Sequence, residues 1–548
     1  MGGAAGGIDL AALKQTPDPV KRSWCIWLSV IWASYCGGLH GFNTSNISGI
    51  MSLTPFKEDF GFNHMSASAV SNLQGWVVSA MLLGQLAGVI FSGPVGEVYG
   101  RKPVIMIAAV LYLVGAVLMT ANFGSSAELL VGRVVSGLGS GFGMTVGAVY
   151  ISEIAPRALR GCMGALYNVG IMSGVTAAYW INYASKIHLD ASSHWQWRAP
   201  MLLQMIPGIA LLIGYPFTPE SPRFLMLKNR PERALAALCR LRNLPADHPY
   251  VVDEFDEFRM RVAVEAETTD AGAKRHLQPS RQWRALKELF QYCAADRSTR
   301  QRVVFVLLIQ TAFIMCGGNS ITYYAPNILK TIGLNPNQVL LFTATYGLIK
   351  VASVLLYAFF LTDRFGRRPL LLIGSFTNML CTLYLAVFLG VANIDPDAPA
   401  TPAAWVAIVA ICIFAIGYGF GWAPAFSLTT SEICPTRTRG TIVTLAFAYQ
   451  NLLNFGITRA FPNMVATMHA WGPFALFTAC TAVSTTWVYL AFPECKGRSM
   501  ENMDALFYLP WYKVGRASLK TPRASEPDSE KRETEPESEK TEAYVHVE

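Results

Sequence analysis

Apolar residues fall in long blocks along this chain, separated by short polar loops. Twelve blocks stand out: 24–50, 69–95, 103–122, 127–150, 161–184, 198–217, 302–328, 337–362, 369–391, 403–428, 441–465 and 471–492. Each holds roughly 20 residues or more, enough for a helix to cross a hydrocarbon core of about 30 Å. Lipid offers no partner to backbone N–H and C=O groups, so every block is expected to be helical. Six blocks precede the polar stretch 219–301 and six follow it. The pattern predicts an all-α membrane protein of twelve transmembrane helices in two bundles. Its expected parts are an N-terminal segment 1–23, bundles 24–218 and 302–492, a linker 219–301 between them and a tail 493–548.

The polar segments carry their own signals. In the linker, Ala234, Leu235, Leu238 and Leu241 recur at helical spacing among Arg233, Arg240 and Arg242. That spacing predicts an amphipathic helix on the cytoplasmic face, and Trp283–Tyr292 a second. The tail after Tyr512 is charged, poor in apolar residues and nearly repetitive around Glu526–Lys531 and Glu535–Lys540, and is expected to be disordered.

Only 15% of residues are charged and 52% are apolar, too little charge for a soluble protein of this length. The net charge of +8 follows the loops. Basic residues gather at Arg101 and Lys102, Arg157 and Arg160, Arg223 to Arg233, Arg364 to Arg368, and Arg437 and Arg439, whereas loop 392–402 has two Asp and no Lys or Arg. The positive-inside rule puts the basic loops and both termini in the cytoplasm. The expectation is a multi-pass protein of the plasma membrane, with lipid rather than nucleic acid as its surroundings. The eleven cysteines show no metal-ligand spacing and read as free thiols. With no nucleophile set, metal cluster or phosphate loop, neither an enzyme nor a cofactor is expected.

A set of short motifs occurs twice, about 270 residues apart and in the same order. Glu97-Val98-Tyr99-Gly100-Arg101-Lys102 is matched by Asp363-Arg364-Phe365-Gly366-Arg367-Arg368. Ser152 to Gly161 is matched by Ser431 to Gly440, and Pro219-Glu220-Ser221-Pro222 loosely by Pro493-Glu494-Cys495. Gly137, Gly139, Gly141 and Gly143 in the fourth block allow close helix packing.

With these motifs the chain resembles the sugar porter family of the major facilitator superfamily, from about Trp24 to Asp504. The resemblance implies a carrier of small polyhydroxylated solutes working by alternating access between two related halves. It implies a cytoplasmic gating network of Glu97, Arg101, Glu153, Arg160, Asp363, Arg367, Glu432 and Arg439, whose ion pairs latch the halves. The stretch Gly317-Gly318-Asn319 to Tyr323-Tyr324 resembles the family's sugar-contact segment. Asn319, Tyr323 and Tyr324 are therefore candidate substrate or gate residues, joined by Asn168, Gln450, Asn454, Trp422 and Phe426. Amides supply donors and acceptors together, and aromatic faces cover the apolar side of a ring.

The departures bear on what is carried. The family's Gln-Gln before Gly-x-Asn is Phe313-Ile314 here, and its tenth-span Trp is Ser427. The acid that faces Arg133 in proton-coupled relatives is Asn43, which does not titrate. His40, one turn earlier, and Lys350, within Tyr346-Gly347-Leu348-Ile349-Lys350, remain as ionisable candidates for coupling or charge selection. The Lys350 stretch resembles fungal permeases for quinate, sugar acids and some monosaccharides. A buried Lys should have a partner, either a substrate carboxylate or protein carbonyls. Arg133 and Lys350 together raise the expectation of an anionic substrate. Facilitated diffusion and proton symport both stay open, and so does a second class, a nutrient sensor on a carrier scaffold.

Overall fold

The computed structural model describes residues 16–268, 279–361, 365–392, 401–435, 438–494 and 506–520. Twelve long helical passes organise it. They are α1 (Trp24–Ile50), α2 (Ala67–Tyr99), α3 (Arg101–Thr120), α4 (Ser126–Ile154), α5 (Arg160–His188) and α6 (Trp195–Phe217), then α7 (Arg297–Thr331), α8 (Pro336–Leu361), α9 (Arg367–Val391), α10 (Pro402–Phe420 continued by Trp422–Ile433), α11 (Arg439–Thr467) and α12 (Gly472–Ala491). Nine of these are long and apolar enough by composition to cross a membrane. The other three, α1, α5 and α11, are more polar. They hold buried amides inside the molecule: Asn43, Asn46, Asn182, Gln450, Asn451 and Asn454. Polar residues in mid-membrane are expensive and mark the functional interior. The three least apolar passes therefore carry the candidate polar interior.

Helix α4 shows how the first half packs. A Cβ on Gly137 would lie 2.2 Å from Met81 O, one on Gly141 2.5 Å from Gln85 O, and one on Gly139 2.5 Å from Tyr112 N. Gly143 faces Cys36. These glycines let α4 lie backbone to backbone against α2 on one side and α3 on another, with α1 alongside. The halves meet where α2 packs on α11 and α5 on α8.

The doubled motifs fold into doubled geometry. Glu220 accepts hydrogen bonds from the N–H groups of Arg101 (3.2 Å) and Lys102 (3.1 Å) at the start of α3. Glu494 does the same for Arg367 (3.1 Å) and Arg368 (3.2 Å) at the start of α9. Each carboxylate caps a helix N-terminus whose amides have no helical partner. Burial pushes the Glu220 carboxyl up, against the pull of the Ser221, Lys102 and Arg101 amides. The caps require glycine beside them. Gly100 and Gly366 have φ of +102° and +80°, and a Cβ there would lie 2.7 Å and 2.6 Å from the Glu220 and Glu494 carboxylates. Gly366→Ala is thus expected to destabilise the protein by about 1–3 kcal/mol through backbone strain and a displaced cap. Thermal unfolding of the purified protein in detergent checks this, and an unchanged midpoint would refute it.

The linker contains helices Pro222–Leu227, Pro231–Arg242, Pro249–Thr268 and Pro279–Ala295. Pro231–Arg242 buries Ala234, Leu238 and Leu241. It is fastened to the first half by Ser23 Oγ donating to Leu241 O (2.7 Å) and by Arg242 donating to Ile154 O (2.8 Å) and to Glu254 (2.7 Å).

The tail departs from the expectation of disorder after Tyr512, because a helix runs over Trp511–Lys520. Gly515 lets it approach α12, where a Cβ would lie 2.5 Å from Leu490 O. Arg368 donates to Gly515 O (2.9 Å), and Ser518 Oγ accepts from Glu494 N (3.0 Å). Composition over the whole tail hid this short helix, whose order comes from contacts with α9 and α12. The remainder of the tail lies outside the described residues.

Candidate functional site

Among the described residues, the gating candidates include an ion pair in each half. Arg101 holds Glu153 through two hydrogen bonds, Nε to Oε2 (2.9 Å) and Nη2 to Oε1 (2.7 Å). Arg367 Nη2 meets Glu432 Oε1 at 3.2 Å. Both described pairs tie helices within a half, α3 to α4 and α9 to α10, and neither crosses between halves as a latch would. Arg160 and Arg439 stand at equivalent places, the first residues of α5 and α11, both half-buried, and Glu97 is exposed at the end of α2. Asp363 and Arg437 lie outside the described residues.

The halves close on the opposite side. Arg459 of α11 donates to Asn72 Oδ1 of α2, and its guanidinium lies 4.8 Å from the centre of the Trp76 ring. Trp76 in turn meets Phe455, ring centres 6.2 Å apart. Tyr324 stacks on Phe461 (5.0 Å) and donates to Thr458 O (2.9 Å), filling the space behind this seal. Arg459→Ala removes a cation–π contact worth about 1 kcal/mol together with a charged hydrogen bond, so closure should weaken roughly five-fold. A cysteine placed at Ser71 should then react proportionally faster with a membrane-impermeant maleimide, and an unchanged rate would refute the seal.

Between the two ends, the first half holds Arg133 in a cage. Its guanidinium donates to Asn43 O (2.7 Å), Asn43 Oδ1 (2.6 Å) and Val77 O (3.0 Å), and Asn43 Nδ2 donates to Ser136 Oγ (3.0 Å). The amide at position 43 thus fills the acceptor role of an acid without titrating. His40 turns elsewhere, its Nδ1 2.9 Å from Gln85 Nε2 of α2. Asn168 is half-buried on α5, with no hydrogen bond to its side chain among the described residues.

The second half builds a different cluster around Lys350, which is 2% exposed. Its Nζ donates to Thr322 Oγ1 (2.7 Å) and lies 4.9 Å and 5.4 Å from the centres of the Tyr418 and Tyr346 rings. Tyr418 OH donates to Asn319 Oδ1 (2.9 Å), and Asn319 is half-buried. Tyr323 OH accepts from Asn454 Nδ2 (3.0 Å). The halves touch here as well, where Tyr179 OH of α5 donates to Thr322 O (2.5 Å). Three polar atoms nearby in sequence to these residues are buried without a partner among the described residues: Gln310 Oε1, Gln450 Oε1 and Trp422 Nε1. Phe426 does not stand open. It stacks on Phe313 at 4.0 Å, so the aromatic residue in place of a family Gln packs on another ring.

Asn319, Tyr418, Tyr346, Thr322 and Lys350 are therefore one unit, whereas Arg133 and Lys350 sit in separate clusters of opposite halves. Sequence reading missed Thr322, Tyr346 and Tyr418. Tyr346 lies four residues before Lys350, and Thr322 three after Asn319, so helical spacing held a signal for both. None existed for Tyr418, which arrives from α10.

Comparison with known proteins places this geometry. A family model described as sugar (and other) transporter matches residues 29–507. The chain belongs to that family. The transporter is 32% identical over 508 residues to a probable quinate permease of Aspergillus fumigatus, spanning 91% of this chain and 90% of that one. It is 30% identical over 510 residues to the quinate permease of Emericella nidulans, with 91% of each chain covered. Its fold matches the proton:xylose symporter XylE bound to 6-bromo-6-deoxy-D-glucose with a TM-score of 0.69 at 24% identity, covering 88% of this chain and 99% of that one. An inward-open structure of XylE from E. coli matches equally well, with a TM-score of 0.69 at 23% identity, covering 88% and 99%. The chain is thus a multi-pass membrane transporter of the major facilitator fold and not an enzyme. These relatives are permeases and transporters, and they lend no support to a sensor.

Proposed function

We propose that this transporter carries a small polyhydroxylated carboxylate, of the quinate or sugar-acid kind, by alternating access. The observation that carries the reading is Lys350. An ammonium buried at mid-membrane costs about 3 kcal/mol on insertion scales. Here it is met by a hydroxyl and two aromatic rings and, among the described residues, by no carboxylate. A substrate carboxylate would supply the missing charge. Asn319, Asn454, Gln310, Gln450 and Trp422 then offer neutral donors and acceptors for hydroxyls, with Asn168 opposite on α5 and Tyr323 and Tyr324 closing the outer end. Phe313 and Ile314 present no amide, which disfavours a hexose held through all its hydroxyls, since unmet hydroxyls are costly to desolvate. The names of the fungal relatives point to the same class.

The basic loops and both termini face the cytoplasm of a plasma-membrane protein in this reading. The closed end at Arg459 is then external, and the ion pairs at Glu153 and Glu432 are internal.

Uptake of labelled quinate, galacturonate, glucose, xylose and a polyol into transporter-null cells tests the reading. Quinate or galacturonate should accumulate, and glucose should compete poorly. Uptake confined to neutral sugars or polyols would overturn it.

A further inference from the structure

We propose that Lys350 is the proton-coupling group of this transporter: it is protonated while a carboxylate lies beside it and gives up that proton when the carboxylate leaves. The inference rests on the carboxylate reading above and adds how uptake is driven.

Position 43 offers no proton to exchange, because a carboxamide does not titrate, and the Asn43 amide is held by Arg133 and Ser136. Arg133 keeps its charge in every state. Lysine differs, because its ammonium is a compact charge that can be relieved either by an adjacent anion or by loss of a proton. The surroundings of Lys350 allow both. Facing it are Thr322 and Cys316 of α7, Tyr418 of α10 and Tyr346 of its own helix. None of these is an acid that would pin the ammonium permanently. The Thr322 hydroxyl donates to Gly318 O (2.7 Å), so it meets Lys350 as an acceptor, a role that suits amine and ammonium alike.

Thr322 also joins this group to the movement of the halves. Its hydroxyl receives Lys350 of α8, while its carbonyl receives Tyr179 OH of α5, from the other half. One residue therefore feels both the occupancy of Lys350 and the contact that must break when the halves rock apart. The balance is simple. On one side the neutral amine takes a proton and a carboxylate enters, forming an ion pair of zero net charge. On the other side the carboxylate and the proton both leave, and the amine returns uncharged. One proton crosses with each monoanion, no net charge moves, and neither buried state carries an unpaired charge.

The test uses the purified full-length protein in proteoliposomes, with labelled quinate and a pH-sensitive dye trapped inside. Wild-type vesicles should take up quinate down an imposed proton gradient, acidify internally as they do so, and respond little to a clamped membrane potential. Lys350→Arg, which cannot release its proton, should lower the ratio of net uptake to quinate–quinate exchange by at least ~10-fold, because exchange never requires the empty carrier to return. Lys350→His, which keeps a titratable group, should retain proton movement with an optimum at lower pH. Quinate uptake by the wild type without proton movement would overturn the inference alone, as would an unaltered ratio in Lys350→Arg. Should Lys350→Arg be inactive in both assays, the decision passes to Lys350→His, where proton entry with quinate supports the inference and its absence overturns it. A wild type that takes up no carboxylate at all defeats the proposed function, and the coupling inference falls with it.

Discussion

Lys350→Met should lower the kcat/KM of carboxylate uptake by at least ~25-fold while raising the thermal stability of the purified transporter. The loss follows from removing one partner of a buried charge pair, which typically costs about 2–5 kcal/mol. The gain follows from the unliganded protein, where the buried Lys350 nitrogen has only the Thr322 hydroxyl and the faces of Tyr346 and Tyr418 for partners. Methionine fills similar volume and removes a buried amine whose hydrogen bonds are incompletely met, a group that costs about 1–3 kcal/mol to bury. The opposite directions matter. A lysine that merely held helices together would lose activity and stability together, so a lower melting temperature in Lys350→Met would contradict the substrate role. Unchanged quinate and galacturonate uptake would contradict it outright.

Arg133→Leu is expected to show the reverse balance, a folding defect before any change of substrate. The guanidinium donates to Asn43 O, Asn43 Oδ1 and Val77 O, tying α4 to α1 and α2. Leucine leaves Asn43 Oδ1 buried with no donor, at a cost of about 1–3 kcal/mol, and also removes the guanidinium's charged bonds to the Asn43 and Val77 helix carbonyls. A total of about 3–5 kcal/mol is a large share of the stability of an ordinary domain. The measurement is the melting temperature and the monodisperse yield of the purified variant. A variant as stable as the wild type would show that the cage does not hold the first half together. Asn43→Asp, by contrast, keeps every acceptor and should fold.

Much of the fold was legible in one dimension. The block at 24–50 is helix α1 with the same ends, and 369–391 differs from α9 by two residues at its start. The blocks are long and the interruptions abrupt, so hydropathy alone places them. The duplication was equally plain, and its two copies fold alike down to the carboxylates of Glu220 and Glu494 on the first amides of α3 and α9. The site was legible only in its membership. Asn319, Asn43, Arg133 and Lys350 stood out as polar groups in apolar runs, but their pairings did not follow. His40 and Asn43 share a helix one turn apart, yet one meets Gln85 of α2 and the other Arg133 of α4. Nor did motif order show that Arg101 would pair with Glu153 and Arg367 with Glu432, each within its own half. The tail helix was missed because ten residues with two apolar anchors carry too little signal in a charged segment.

By itself, then, the sequence determined that this chain crosses the membrane as two related helical halves, at which residues the loops interrupt the helices, and which residues are costly to bury. Those properties are local, since hydropathy, helical period and motif order need no partner to be read. Only the tertiary structure decided that Arg133 is caged by backbone and amide while Lys350 meets hydroxyl and aromatic groups, and that Arg459 of one half reaches Asn72 and Trp76 of the other. The cost of burying a charge can be read from its own residue type. Its relief depends on groups from other helices arriving within about 3 Å, and that distance is set by how the helices pack.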